Sequence, residues 1–399
     1  MKWISSVSDD PQLEAAILDC TAIIKDNLDS KMDPSLIFIF ISAHYHEGKD
    51  AVLKILRESF PESIIFGCSA AGIVGSGKEY QNRPSVTVMA AVLPSVSIVP
   101  FYTSGNALPS ADDPPESWKE FLGITHLANP DFILLAEPFY PHINQFLAGI
   151  DYAFPRSTKI GGLTSGGTQP GTNYLFFNTS LYTQGLIGLA LEGNLRVEPI
   201  VAQGCRPIGD PKQITKCQEN ILLSLDGESP LDYLNVVYQT LSPQEQSLFR
   251  NQLLIGIGTD SVLYPDKEDK ADFLIRNIMG ADPEKGILAI GELIREGQIV
   301  QFHIRDAVSS SNDLRTQLTK YNETPTMLGK PEAAMMFQCT GRGSYLYGEE
   351  GHDSRIFTEL MGAIPLAGFF CNGEIGPVGN TTYLHGYTAS IALFRNKLD

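Results

Sequence analysis

A chain of 399 residues with 43% hydrophobic and 19% charged side chains has apolar surface enough for two globular domains and too little charge for a disordered one. Its formal net charge of −17, with lysines and arginines scattered rather than clustered, argues against nucleic acid and anionic membrane as partners. Apolar runs such as residues 36–41 fall far short of the ~20 residues that cross a bilayer. The first fourteen residues have no apolar core of a secretory signal, and six cysteines without a CxxC pair suit a reducing cytoplasm, the expected location.

In chain order, residues 36–41 read as a buried strand. Ala51, Val52, Ile55 and Leu56 then follow at helical spacing, and a second apolar run at 64–66 ends in "GCSAAG" (67–72). The same order returns from 132: a strand at 132–135, a helix through Ile143, Phe146, Leu147 and Ile150, and a run at 159–160 ending in "GGLTSGG" (161–167). Phe60-Pro61 matches Phe154-Pro155, and Gly67 and Gly72 match Gly161 and Gly166. Residues 36–105 and 132–204 are therefore two copies of a strand–helix–strand unit with parallel strands. In the first copy "VTVMAAVL" and "VSIVPFY", joined through Pro94-Ser95, read as an added hairpin.

A turn-rich stretch at 205–212 marks the expected domain boundary, giving domains 1–208 and 209–399. Beyond it, 229–241 is helical, and 242–249 opens with Ser242-Pro243 and Glu245, a capping box. Strands are expected at 253–257, 272–278, 287–290 and 299–304, and a helix at 312–321 capped by Ser310 or Ser311. A partial third copy closes the chain at 333–394: a strand into "CTGRG" (339–343), a helix from Asp353 as N-cap, a strand into "CNGEIG" (371–376), and a last strand at 387–394. The fold class is α/β, two domains of repeated strand–helix–strand units with antiparallel hairpins and mixed sheets.

This ordered set of glycine turns, above all "GFFCNGEIGP" with His385 downstream and "GCSAAG" and "CTGRG" in support, resembles the FIST proteins over residues 30–395. The resemblance implies paired FIST N-terminal and C-terminal domains. It also implies a sensory or signal-transduction role with a small-molecule ligand, an amino acid among those proposed, and a signalling protein as a further partner. Some relatives carry an F-box, a kinase or another output domain, for which 399 residues leave no expected room.

Ligands settle beyond the carboxyl ends of parallel strands in open α/β sheets, where the three glycine turns emerge. The candidate site is Arg342, Glu374, Asn372, His385 and Cys339 with Gly341, Gly343 and Gly373 from the third copy, Cys68 and Ser69 from the first, and Thr164 and Ser165 from the second. Arg342 and Glu374 suit the two charges of an amino acid; the alternative is that they pair with each other. A hydrolase using Ser69 or Cys339 competes, as does an interaction scaffold without a ligand. "GCSAA" matches a nucleophile elbow loosely, but no helix follows it. "HYHE" (44–47) offers two histidines without a further cluster, so no metal is expected. No turn has the lysine of a P-loop or the helix-opening glycines of a dinucleotide site, so no cofactor is expected either.

Overall fold

The computed structural model describes residues 1–28, 33–105, 107–259, 273–324 and 329–397. They form two compact units, Met1–Ala202 with Leu314–Asp399, and Gln203–Asp313.

The larger unit holds three copies of one eight-element pattern. The first is β1 (Lys2–Ser8), α1 (Leu13–Asn27), β2 (Leu36–Ser42), α2 (Val52–Ser59), β3 (Ile64–Ala70), β4 (Gly72–Gly75), β5 (Lys78–Gln81) and β6 (Val86–Val92). The second repeats it as β7 (Val96–Thr103), α3 (Pro115–Phe121), β8 (Asp131–Ala136), α4 (Ile143–Ala153), β9 (Lys159–Leu163), β10 (Leu175–Phe177), β11 (Ser180–Tyr182) and β12 (Leu186–Gly193). The third begins at β13 (Arg196–Ala202) and is then interrupted.

The interruption is the smaller unit. Its β14 (Cys205–Gln218), β15 (Ile221–Leu225), β16 (Leu253–Gly258), β17 (Phe273–Asp282), β18 (Ile287–Ile290) and β19 (Ile299–Arg305) close a barrel in the order β14-β15-β18-β17-β16-β19. Ile255, Phe302, Leu222 and Ile290 are among the residues that fill its core. Two helices lie between β15 and β16: α5 (Pro230–Thr240), capped by Ser229, and α6 (Pro243–Gln252), opened by the expected Ser242/Glu245 capping box. Asp272, the start of one expected strand, lies outside the described residues.

The third copy resumes with α7 (Ala307–Glu323), β20 (Ala333–Cys339), a short α8 (Ser344–Tyr347), α9 (His352–Met361), β21 (Leu366–Cys371), β22 (Glu374–Val378), β23 (Thr381–His385) and β24 (Ala389–Arg395). Helix α7 starts earlier than its spacing suggests: Ser310 and Ser311 lie inside it, and Asp306 accepts the Ser309 amide instead. Likewise α9 is capped by Gly351, and Asp353 falls in its first turn.

Strand exchange joins the copies. The sheets run β1-β6-β2-β3-β10-β11, β7-β12-β8-β9-β22-β23 and β13-β24-β20-β21-β4-β5. Each centres on a parallel pair from one copy and receives the hairpin of the next. β6 and β7, expected to pair as a hairpin, instead enter different sheets, because the chain passes to the neighbouring copy at Pro94-Ser95. The inner faces share one core, with Phe38, Phe66, Ile133, Leu135, Phe337 and Phe369 among its members. The outer faces are covered by their own helices, α1 and α2, α3 and α4, α7 and α9. Among the described residues no helix is long and apolar enough to cross a membrane.

Candidate functional site

The glycine-rich turns are crossing points rather than flexible loops. β3 runs through "GCSA", and after Ala71 the chain enters another sheet as β4; β21 runs through Cys371, and after Gly373 it leaves as β22. The first glycine of each motif is fixed by crowding. A Cβ on Gly67, Gly161 or Gly368 would lie 1.8, 1.8 or 1.9 Å from the carbonyl oxygen of Ile39, Leu134 or Met336 on the parallel neighbour.

The three bends meet, and direct hydrogen bonds join them. Ser165 N donates to Ser69 O (3.4 Å), and Asn372 N donates to Leu163 O (3.1 Å). The third link uses a side chain: Ser165 Oγ accepts from Ala71 N (2.8 Å) and donates to Phe370 O. Thr164, Ser165, Ser69 and Cys68 are buried in this junction. Ser69 Oγ accepts the Tyr174 amide (2.9 Å), and a strand follows it rather than the helix of a nucleophile elbow. Burial pushes the Cys68 and Cys371 thiols well up from the usual range, away from thiolate chemistry.

Arg342 and Glu374 are both fully buried, and the structure gives Arg342 another partner. Its Nε and Nη2 donate to Asp353 Oδ2 (2.6 Å) and Oδ1 (3.1 Å), with further bonds to Tyr347 Oη (2.7 Å) and Tyr387 O (3.3 Å). The reason is topological. The bend after Cys371 carries Glu374 into the second copy's sheet, opposite Gly162, while the first turn of α9 brings Asp353 to Arg342. Glu374 Oε2 accepts the Thr388 amide (3.1 Å), and His385, across from Glu374 in the β22–β23 ladder, bonds Gly376 O through Nε2 (3.0 Å). Glu374 occupies the register position held by Ile73 in the first copy and Leu175 in the second. Asn372 is exposed, Cys339 and Gly341 are half-buried, and Gly343 and Gly373 are buried.

A cavity of about 350 Å³ opens between the first and third bends. Ala71, Gly72, Gln81, Asn82, Thr340, Ser344, Tyr345 and Phe370 line it, so its walls carry amides, hydroxyls and two aromatic rings and no charged side chain. Gln81 Oε1 accepts the Ser344 amide (2.8 Å) and ties the wall of one copy to the other. None of these eight was among the candidate site residues, although Ala71, Gly72, Thr340 and Phe370 lie within the quoted glycine-turn motifs; a polar residue on a short hairpin carries no signal until the hairpin is known to enter the other copy's sheet.

A larger cleft, about 790 Å³, surrounds Lys78, Glu79, Tyr80, Arg83, Gly351 and Arg355. Glu79 accepts the amides of Gly351 (3.2 Å) and Ser354 (2.8 Å) at the start of α9. Burial, then the nearby Asp353 carboxylate, raises its carboxyl to about 7. Arg83 and Glu350 pair across the cleft at 2.7 Å. Among the described residues no group of three His, Cys, Asp or Glu is placed to hold a metal ion.

The family model of the FIST N domain matches residues 35–228, and that of the FIST C domain matches 233–377. The chain belongs to the FIST family, whose domains are associated with sensory and signal-transduction roles. It is 33% identical over 390 residues to the uncharacterized protein Rv0628c of Mycobacterium tuberculosis, covering 97% of this chain and 98% of that one. The uncharacterized protein Mb0898c of Mycobacterium bovis is 32% identical over 391 residues, 98% and 97% of the two chains. Over 161 residues the chain is also 27% identical to the F-box/LRR-repeat protein At5g63520 of Arabidopsis thaliana, 38% of this chain and 28% of that protein.

Proposed function

We propose that this protein is a cytoplasmic sensory module that binds a small polar ligand in the 350 Å³ cavity and reports its occupancy to a signalling partner. The observation that carries the reading is position. Thr340 and Phe370 stand at the carboxyl ends of the parallel strands β20 and β21, where α/β sheets receive ligands, and the bend at Ala71 and Gly72 closes the opposite wall. The volume is within the range of small-molecule sites, and amides and hydroxyls around two rings suit a compact polar metabolite. The six cysteines are free thiols, which suits a reducing compartment.

Amino acids are the first class to test. An amino acid would reach Arg342 only by displacing Asp353, so its charged groups would face the open mouth, and its side chain the neutral walls. Thermal-shift measurements with amino acids and related metabolites test the reading. At a hundredfold excess over Kd a binder stabilises by about 2.7 kcal/mol. Ser344→Trp, which fills the cavity from its rim, should abolish the shift and leave the free protein folded. A panel that never shifts the wild-type protein would refute the reading.

A further inference from the structure

Gln338 lies near the end of β20, fully buried, and neither its Nε2 nor its Oε1 has a hydrogen-bond partner among the described residues. A buried amide left unpaired costs stability, and a methionine of the same length would not. Its place in the sheet gives the amide a use. Two residues beyond Met336, its side chain shares the face on which Met336 and Phe370 pack beneath α7 and α9. Across that face the register runs Ala389, Gln338, Phe370. A Cβ on Gly72 would stand 2.9 Å from Phe370 Cδ2, so the ring occupies the space that this glycine leaves, and Gly72 pairs in turn with Gln81. Phe370, Gly72 and Gln81 all line the cavity. In this row Phe370 stands next to the unpaired amide and also lines the cavity.

We propose that Gln338 reads the ligand of this cavity: the Phe370 ring turns aside, and the amide pairs with a small molecule that presents an adjacent donor and acceptor, a carboxamide or lactam edge. This rests on the cavity being the ligand site. A side-chain amide has one acceptor oxygen and one donor nitrogen on the same edge, and another amide matches both. A buried site built to make such bonds rejects an analogue that lacks them far more strongly than an apolar pocket rejects a change of size.

The test compares wild type with Gln338→Met in thermal-shift titrations. The probes are L-glutamine, L-asparagine and 2-pyrrolidone, against L-methionine and L-norvaline, which carry no side-chain amide. The free variant should melt higher than wild type by about 2–4 °C, because it loses an unpaired buried amide. Wild type should prefer the amide compounds, and the variant should not distinguish the two sets. In wild type, the Gln338 side-chain amide resonances, assigned by their loss in the variant, should shift with L-glutamine. A variant that melts lower, or keeps the preference for amides, overturns the proposal. So does a wild type that responds only to compounds without an amide, although the cavity then stands as a ligand site. A wild type that responds to none of a wide panel removes the site, and this proposal with it.

Discussion

The two units solve different problems with their buried charges. In the three-copy unit some ion pairs lie in the interior: Arg342–Asp353 with both side chains at 0% exposure, and Lys159–Asp151 and Arg395–Glu198 with the cation buried and the carboxylate partly so. The barrel's described pairs, such as Lys285–Asp282 and Lys212–Asp226, are partly or largely exposed, and its interior keeps a histidine, His303, neutral. The three sheets are built alike, so apolar pattern alone would let a hairpin enter the wrong copy. Polar contacts break that degeneracy. Glu79 from the first copy's hairpin takes the start of α9, and Asp151 of the second copy accepts the Thr382 amide (2.6 Å) and hydroxyl (2.8 Å) from the third copy's hairpin. A buried pair adds little net stability against apolar side chains of the same size, but a wrong match leaves a charge unpaired. The barrel pairs six unlike strands and has no such ambiguity.

The largest effect should come from breaking the deepest pair. Asp353→Ala strands Arg342 in the interior and should cost about 3–5 kcal/mol in urea unfolding, whereas Lys285→Ala in the barrel should change stability by less than about 0.5 kcal/mol. Replacing both partners, Arg342→Met with Asp353→Leu, should recover most of the loss. An Asp353→Ala variant as stable as wild type would remove the contrast between the units.

The pH dependence should have opposite signs in the two units. Burial lowers His303 from 6.5 to about 4, so the unfolded chain takes up its proton first as the pH falls. Its contribution is present above pH 6.5 and is lost as the pH drops toward 4, by up to about 3 kcal/mol. Glu79 behaves the other way. Its carboxyl rises from 4.5 to about 7, so the folded chain holds the proton longer, and stability present below pH 4.5 is lost as the pH rises through 7. Denaturation at pH 4.5, 5.5 and 7.5 should therefore show a rising term that His303→Gln removes and a falling term that Glu79→Gln removes. Two variants that change the slope in the same direction would contradict this assignment.

Much of this architecture was legible in the sequence, and its limits have physical causes. The parallel pairs β2–β3 and β8–β9 are short apolar runs, the second strand of each entering a glycine turn, and the capping box of α6 is spelled out in Ser242, Pro243 and Glu245. The opening strand and helix of the first copy and the opening helix of the second were not seen, and β7 and α7 were read as a strand and a helix but not as the openings of copies: β1 alternates weakly, with only Trp3 and Ser6 of Lys2–Ser8 buried, and α1 shares no residue pattern with α3. The third copy therefore looked partial, although the barrel only interrupts it. At the site, Arg342 and Glu374 were legible as charges among glycines, but their partners depend on strand exchange. A local reading keeps residue 374 beside residue 342, whereas the bend sends it to another sheet. Gln338 carried no signal, because a glutamine near the end of an apolar strand has the same spelling whether or not its amide is paired.

The crossing glycines offer a milder test of the same contrast. Gly67→Ala, Gly161→Ala and Gly368→Ala each force a methyl group onto a backbone carbonyl, and each should cost about 1–3 kcal/mol or more. Because the three sites are equivalent, the losses should agree within about 1 kcal/mol. Gly280→Ala in β17 of the barrel meets nothing within 4 Å and should be nearly neutral. A loss at one crossing glycine alone would show that the copies do not share the strain equally.

The smallest effect belongs to α6. None of its residues is fully buried, Leu248 and Phe249 packing only partly against the barrel core, and its start depends on Ser242 accepting the Glu245 amide while Glu245 returns a bond to the Ser242 amide. Ser242→Ala should cost about 1 kcal/mol. An exposed helix opens on its own before the barrel unfolds, so this loss should appear as faster amide hydrogen exchange at Glu245 and Gln246, with little change in the melting temperature. The capping hydroxyl of α5, Ser229, accepts from Asp232 in the same way, but α5 also buries Pro230, Leu234 and Val237. Ser229→Ala should therefore leave exchange in α5 slower than Ser242→Ala leaves it in α6. Equal rates in the two variants would mean that caps, rather than packing, set the local stability of both helices.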